Sequence, residues 1–299
     1  MSIQAITTQS ALPWAEVRFM IRYSKSASKK RGIKAFMEPY KDKDGLNIMQ
    51  TLIDINDLDT NSLKHCYRKM MQHASLYNLR TMIIPLFPDI GRSHLNRQDI
   101  LTAASEAYMD EHKKHYISVY LLVDSQNPLT AEESDYLSVA EHICQKYSEQ
   151  EMVYNCEEFY IDVDPEPEAD YDDPVQELLR NGLSFSETVL NLMKIKDMTA
   201  SQCCYHANMR LKEFSKISQS MIDSTFDYTP SKQTVIALAV AFELTYEESE
   251  CFLACAGYNF SNSDKMDLIV QYYLQKGESD IFRINNMLNL YDQPLLGSH

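Results

Sequence analysis

Residues 228–258 constrain the fold of this chain more than any other segment, because their pattern predicts two helices in series. The triplet Thr-Pro-Ser at 229–231 is typical of a helix start, where a proline loses no hydrogen bond. Residues 235–242 are apolar on all sides, which predicts a helix buried inside a bundle. A second helix is predicted to follow Leu244, and Gly257 is a typical left-handed residue at its end.

The composition is that of a folded protein with room for two domains. The chain has 299 residues, of which 44% are hydrophobic. No apolar run reaches the roughly 18 residues of a membrane helix. The first residues lack a basic segment followed by an apolar stretch, which predicts no signal peptide and a cytoplasmic location.

The seven cysteines are an odd number without regular spacing, which indicates reduced thiols and not a disulfide framework. Buried thiols of this kind pack as small apolar side chains. A zinc site built on Cys203, Cys204 and His206 is the alternative, but it needs a fourth ligand that the neighbouring sequence does not offer. The sequence therefore favours a protein without metal or cofactor.

The negative charge is concentrated in one segment. Residues 157–177 hold ten acidic residues, three prolines and no lysine or arginine, and removing them changes the net charge from −15 to −5. Such a segment cannot bury enough apolar surface to order itself. We therefore expect domains at 1–150 and 181–299, joined by an extended acidic connector at 151–180. An acidic segment that binds a partner or mimics nucleic acid is the alternative.

The N-terminal half alternates strand and helix patterns, which predicts an α/β domain with a mostly parallel sheet. Two continuous apolar runs, 81–86 and 116–123, indicate strands buried on both faces. The expected strands are 17–22, 33–36, 81–86 and 116–123, and the expected helices are 63–79, 100–109 and 131–147. His112 and His115 flank two lysines, which is typical of a solvated helix end.

Residues 62–124 resemble the distal half of a macro domain in degenerate form. The resemblance lies in a helix with a tyrosine, a strand ending in Pro85, a loop with a glycine, a helix, and a last strand followed by an acidic residue. It implies an ADP-ribose-like nucleotide at the carboxyl ends of the strands. The residues implied to bind it, several through backbone N–H groups, are Asp89, Ile90, Gly91, Arg92 and Asp124. The corresponding cleft would extend to Arg97.

The C-terminal half is predicted to be all-α. Ser184 or Ser186 and Thr199 are suitable N-cap residues for its first two helices. The four glycines of this half stand near element boundaries, at 182, 257, 277 and 297. The expected helices are 185–193, 199–208, 211–220, 229–242, 246–256, 263–276 and 281–290.

Residues 183–258 resemble the λ-repressor-like (Cro/CI, XRE) helix-turn-helix domain. Phe185, Leu190 and Met193 carry the resemblance in the first helix, and the apolar helix at 235–242 carries it in the fourth. In that family the third helix enters the major groove of DNA. The implied base-contacting residues are Arg210, Lys212, Ser215, Lys216 and Gln219, on one exposed basic face, and the implied phosphate contacts are Lys194, Lys196 and Lys232. Residues 263–296 resemble an extension that accompanies this module in a group of bacterial proteins.

The charge balance of the predicted helix-turn-helix segment helps to choose between the functions that these resemblances imply. Residues 194–232 hold six basic and four acidic residues, a surplus of only two for phosphate binding. The sequence contains no recognised catalytic motif. We therefore expect a non-enzymatic bacterial regulatory or adaptor protein whose helical domain binds a protein partner or a second copy, without membrane contact. The alternatives are a DNA-binding transcription regulator with an N-terminal sensor domain, and an ADP-ribose-type binder or hydrolase.

Overall fold

The chain divides into two compact units, Met1–Glu151 and Met152–His299, which are described separately. The computed structural model describes residues 2–7, 15–24, 34–41, 47–54, 59–86, 95–112, 114–115, 117–155, 173–180, 182–222 and 228–297.

The first unit is an α/β unit. Its described strands are β1 (Ile3–Thr7), β2 (Val17–Ser24), β3 (Lys34–Lys41), β4 (Asn47–Asp54), β5 (Thr81–Pro85) and β6 (Ser118–Val123). Its helices are α1 (Thr60–Leu76), α2 (Arg97–His112) and α3 (Ala131–Asn155).

The described strands form one sheet in the order β1-β6-β5-β2-β4-β3. Every neighbouring pair is parallel except β3 and β4, which are antiparallel. The prediction of an α/β fold with a mostly parallel sheet is therefore confirmed. Because the parallel strands share a direction, the carboxyl ends of β1, β6, β5, β2 and β4 lie along one edge.

The two apolar strands of the centre differ in burial. β5 is buried through Met82, Ile83 and Ile84, so both of its faces are covered, as predicted. β6 alternates between buried and half-buried residues, so the prediction of a strand buried on both faces was wrong. On its less covered face, Tyr120 and Leu122 pack against a small cluster of Ala15 and Ile83.

Helix α1 buries one stripe of side chains in the core of the first unit. Its N-cap is Asp59, whose side chain accepts a hydrogen bond from the N–H of Ser62 at 2.7 Å. The buried residues follow the helical period that the sequence predicted: Leu63, Cys66, Tyr67, Met70, Met71 and Ala74.

The second unit is all-α in its described residues, as predicted. Its helices are α4 (Pro174–Arg180), α5 (Phe185–Ile195), α6 (Ala200–His206), α7 (Leu211–Ile222), α8 (Lys232–Ala241), α9 (Tyr246–Cys255), α10 (Lys265–Gln275) and α11 (Ile281–Leu290). Helix α4 lies in the last part of the segment expected to be an extended connector. Residues 156–172 of that segment lie outside the described residues.

Helix α8 is the buried centre of the second unit. Every residue from Val235 to Ala241 is buried, as its uniformly apolar sequence predicted. The helix begins later than expected, because Ser231 and not Thr229 is the N-cap, and its side chain accepts from the N–H of Thr234. Pro230 therefore precedes the helix and is not in its first turn.

The helix ends of this unit are fixed by local hydrogen bonds. Ser184, Thr199 and Thr245 form capping boxes with the glutamate or glutamine three residues further on. Gly257 has positive φ after α9, as predicted, and Gly277 has positive φ after α10. Asp197, Asn208 and Glu243 take the same left-handed conformation after α5, α6 and α8.

Candidate functional site

The predicted helix-turn-helix segment consists of α6, the turn 207–210 and α7. Asn208 has a φ of 47°, and the N–H of Met209 donates to the carbonyl of Cys204 at 2.8 Å. This is the hydrogen bond of a helix that ends in a left-handed residue. Asn208 therefore takes the role that a glycine often has in such turns.

The predicted base-contacting residues lie just before α7 and on its outer side. Phe214 and Ile217 face the core, whereas Arg210, Lys212, Ser215 and Gln219 are exposed. Lys216 is half-exposed. The expectation that neither Lys212 nor Lys216 is buried is therefore met.

The positive charge on this side of α7 is partly neutralised. The ammonium of Lys216 lies 2.6 Å from a carboxylate oxygen of Glu213, one turn earlier on the same helix. Lys232, a predicted phosphate contact, instead donates to the buried carboxylate of Asp267. The phosphate contact stays a prediction, but it would require Lys232 to leave the buried carboxylate of Asp267, which costs free energy. Burial raises the pKa of Asp267 above its usual value, against the opposing effect of Lys232.

The three residues that carry the resemblance in the first helix, Phe185, Leu190 and Met193, differ in burial. Phe185 is buried and contacts Phe252, with ring centroids 5.5 Å apart. Leu190 and Met193 are only half-buried, and they line a shallow surface groove of about 530 Å³ along α5.

Most of the predicted nucleotide site lies outside the described part of the chain. This applies to Asp89, Ile90, Gly91 and Arg92. Asp124 is exposed at the carboxyl end of β6, where it accepts a hydrogen bond from the N–H of Gln126 at 3.0 Å.

Arg97, the expected limit of the cleft, is held by the loop that follows β6. Its guanidinium donates to the side chain of Asn127 at 2.9 Å and to the backbone carbonyl of the same residue at 2.7 Å. It also lies 3.4 Å from Glu133, so its charge is already paired.

The cysteines of α6 are placed as packing residues. Cys203 and Cys204 are buried, and burial raises the pKa of Cys203 to about 12, which disfavours the thiolate that a metal requires. His206 is exposed. Within the described ranges, no three His, Cys, Asp or Glu side chains form a group suited to a metal ion.

A buried polar network joins the ends of α1 and α2. Glu111 is 1% exposed and accepts from Arg68 at 3.0 Å and from Gln72 at 2.9 Å. His115 lies 3.7 Å from the second oxygen of Glu111 and 2.8 Å from the hydroxyl of Ser75. The N–H groups of Tyr77 and Asn78, which follow Ser75, donate to carbonyls of α1, so these two groups are not available to bind an oxyanion.

The position of His112 differs from the expectation for the end of α2. It is buried, and its Nε2 atom lies 2.9 Å from the hydroxyl of Ser148 on α3. The end of α2 is therefore packed against a neighbouring helix and is not the solvated end that its lysine neighbours indicated.

The second unit contains an open groove of about 990 Å³ that sequence reasoning did not find. Three segments form it: the end of α6, the turn between α8 and α9, and the region from the end of α10 to the start of α11. We call it the aromatic groove. Its lining includes Tyr205, His206, Glu243, Glu247, Gln275 and Phe282.

Two exposed aromatic side chains line the aromatic groove. Tyr205 is 67% exposed and Phe282 is 52% exposed, although both are large and apolar. Their ring centroids are 6.0 Å apart with the planes tilted by 60°, and the ring of His206 lies edge-on to Tyr205 at 5.5 Å. An exposed pair of this kind contributes little to the core and marks a surface suited to binding.

The charged side chains of the lining are mostly acidic. Glu243 and Glu247 are exposed, and within the described residues neither carboxylate forms an ion pair. Asp280 also lines the groove, but it caps α11 by accepting from the N–H groups of Phe282 and Arg283. Among the described residues that line the groove, His206 is the only one with a basic side chain.

The C-terminal segment packs against the turn 207–210 between α6 and α7. The amide of Asn285 donates to the carbonyl of Leu296 at 3.1 Å and accepts from the N–H of the same residue at 2.7 Å. Asn208 donates to that carbonyl from the turn at 3.3 Å. Leu296 is 1% exposed, so the extension predicted at 263–296 is part of the core of this unit.

Comparison with known proteins assigns no family to the chain. No protein-family model matches it, and no curated protein matches it significantly. Within the described residues, none of the helices has both the length and the apolar character needed to cross a bilayer.

Proposed function

We propose that the chain is a non-enzymatic regulatory or adaptor protein whose helical unit binds a protein partner through the aromatic groove. The observation that carries the proposal is the exposed pair Tyr205 and Phe282 in an open groove of about 990 Å³. Aromatic side chains are enriched at protein interfaces and supply much of their binding energy.

Local hydrogen bonds and turn conformations define the walls of the groove. A capping box at Thr245 fixes the start of α9, and Asp280 fixes the start of α11. Glu243 and Gly277 hold left-handed backbone conformations at the ends of α8 and α10. A groove with ordered walls binds without a large loss of conformational entropy.

Site-specific photo-crosslinking of the full chain in bacterial cells tests this proposal. A photoreactive residue at Gln275, which is exposed in the lining, should form an adduct with a protein partner. The same residue at Asn289, which is exposed on α11 but does not line the groove, is the matched control.

The expected adduct depends on the groove. It should form at position 275, disappear in the Tyr205→Ala variant and be absent at position 289. Identical adducts at both positions, or adducts that persist in Tyr205→Ala, would contradict the proposal. An adduct with the mass of two chains would identify the partner as a second copy.

DNA binding by α7 is a second candidate, favoured by the exposure of Lys212, Ser215 and Gln219 along one side of the helix. Fluorescence anisotropy with a pool of random duplexes tests it across salt concentrations. Lys212→Ala should weaken binding to all duplexes and reduce the salt slope by about one, because one phosphate contact is lost. Lys114→Ala removes an exposed lysine from the first unit and should change neither quantity. Equal effects of the two variants would exclude α7 as the binding helix.

A further inference from the structure

We propose that the ligand of the aromatic groove is a basic segment of a partner protein, which inserts a lysine or arginine side chain against Tyr205 and Phe282. This inference rests on the proposed function and names the chemistry of the partner. It follows from the geometry of the two rings, the charge of the lining and the positions of the neighbouring basic residues.

The two rings offer faces to a cation. Their centroids are 6.0 Å apart, and the tilt of 60° leaves the rings unstacked. A guanidinium or ammonium group binds favourably within about 6 Å of an aromatic centroid. A side chain that lies beside this pair, over the solvent-exposed sides of Tyr205 and Phe282, would therefore be within reach of both rings.

The carboxylates of the lining supply the matching charge. Glu243 and Glu247 lie in and just after the turn between α8 and α9, and both are exposed. Within the described residues they have no ion-pair partner, so a ligand cation would not need to displace an existing salt bridge.

The basic residues closest along the chain do not supply this cation. Lys276 donates to the hydroxyl of Tyr272 at 2.5 Å and lies over the ring of that tyrosine. Arg283 forms a salt bridge with Glu278. Neither of these two side chains lines the groove, so they leave its acidic character unchanged.

The same features disfavour other ligands. Nucleic acid phosphates would be repelled by Glu243 and Glu247. A purely apolar helix would remove these two carboxylates from water without a partner, which costs free energy. A basic segment satisfies both the aromatic and the acidic parts of the lining.

Fluorescence anisotropy with the full chain and two labelled peptides tests the proposal. One peptide is a glycine–arginine repeat, and the other is the same repeat with citrulline, which keeps the shape of arginine without its charge. We expect the arginine peptide to bind and the citrulline peptide to bind at least about tenfold more weakly. Free arginine should bind much more weakly than the repeat.

Variants separate the groove from general attraction to an acidic chain. Tyr205→Leu keeps the charge and an apolar side chain but removes the aromatic face, and should weaken the arginine peptide about threefold to thirtyfold. Glu247→Gln should weaken it and reduce the salt dependence. Tyr77→Leu, at an exposed tyrosine of the first unit, should leave the affinity unchanged.

Three results would overturn the inference: equal affinity for arginine and citrulline peptides, equal affinity of Tyr205→Leu and wild-type protein, or binding of free arginine as tight as that of the repeat. If the crosslink at position 275 forms but the arginine peptide fails these tests, the interaction function stands and the basic ligand is rejected. If neither experiment succeeds, both proposals fall.

Discussion

Gly297 lies where a side chain does not fit. Its φ is 92°, and a Cβ atom at this position would be 2.3 Å from the carbonyl oxygen of Asn208. We expect Gly297→Val to lower the free energy of unfolding of the helical unit by about 2–4 kcal/mol, through backbone strain and displacement of the buried Leu296. Urea unfolding followed by circular dichroism measures the change.

Gly182 provides the control for this substitution. It also has a positive φ, but a Cβ atom there would meet no atom within 4 Å. Gly182→Val should therefore show only the backbone part of the loss, about 1–2 kcal/mol. Equal losses in the two variants would mean that the contact with the turn contributes nothing.

His142 predicts a pH dependence of stability. Burial, and secondarily the charge of Lys146, lowers the pKa of His142 below its usual 6.5. The unfolded chain then takes up a proton that the folded chain resists, so the free energy of unfolding falls as the pH falls through 6.5. In wild-type protein the urea midpoint should decrease from about pH 7.5 to about pH 5.5 more than in His142→Gln.

The exposed His65 distinguishes this effect from general acid destabilisation. His65→Gln should retain the full wild-type decrease in midpoint, because its side chain is exposed on α1. A decrease that is unchanged in His142→Gln would show that other groups cause the pH dependence.

At the scale of elements, one buried carboxylate contributes to the pairing of α1 with α2. Glu111 accepts hydrogen bonds from Arg68 and Gln72, and it is 1% exposed. Glu111→Ala should lower the free energy of unfolding by about 2–4 kcal/mol, because two donors of α1 lose their partner. Chemical unfolding monitored by circular dichroism measures the loss.

Glu106 is the matched control on the same helix. It pairs with Lys64 at 2.8 Å but is 40% exposed, so Glu106→Ala should cost only about 0–1 kcal/mol. A loss for Glu111→Ala as small as that for Glu106→Ala would contradict a structural role for the buried network.

The sequence predicted those elements that carry a local pattern. The bounds of α11 match the prediction, and the buried stripe of α1 follows the period that the sequence shows. Strand β4 was not predicted, because its own sequence pattern is too short to indicate a strand. The strand is formed by pairing with β2 and β3, and a local stretch of sequence does not show this pairing. Helix α4 was missed because the acidic residues before it dominate the composition of that segment.

The aromatic groove was not predicted from the sequence, because it depends on how the helices pack in the whole molecule. Tyr205, Glu247 and Phe282 are far apart in the sequence, and only the packing of the helices brings them together. A tyrosine and a phenylalanine near helix ends also look like core residues in a sequence. Their exposure is a property of the fold that no single segment encodes.

At the scale of the whole molecule, the alternative function is nucleotide binding by the α/β unit. If the unit binds such a nucleotide, as the resemblance to a macro domain implies, ADP-ribose at 100 times its Kd should stabilise the folded state by about 2.7 kcal/mol and raise the midpoint of thermal unfolding of the full chain. Asp124→Asn, at the carboxyl end of β6, should reduce the rise, as should Gly91→Val.

A charge-matched variant in the other unit serves as the control for this titration. Glu243→Gln also removes one negative charge, but from the helical unit, and should leave the rise intact. No rise with ADP-ribose, or a rise that all variants share, would exclude a nucleotide site at this sheet edge.

The contact of Leu296 and Gly297 with the turn at Asn208 also limits when the helical unit can complete its core during synthesis. The turn and the segment that completes it are separated by 88 residues. While the ribosome is still translating the last helices, Asn285 has no backbone amide to bind, and the pocket for Leu296 is open to water. The α/β unit is free to fold as soon as it emerges, whereas the helical unit completes its core only after residue 297 has left the exit tunnel.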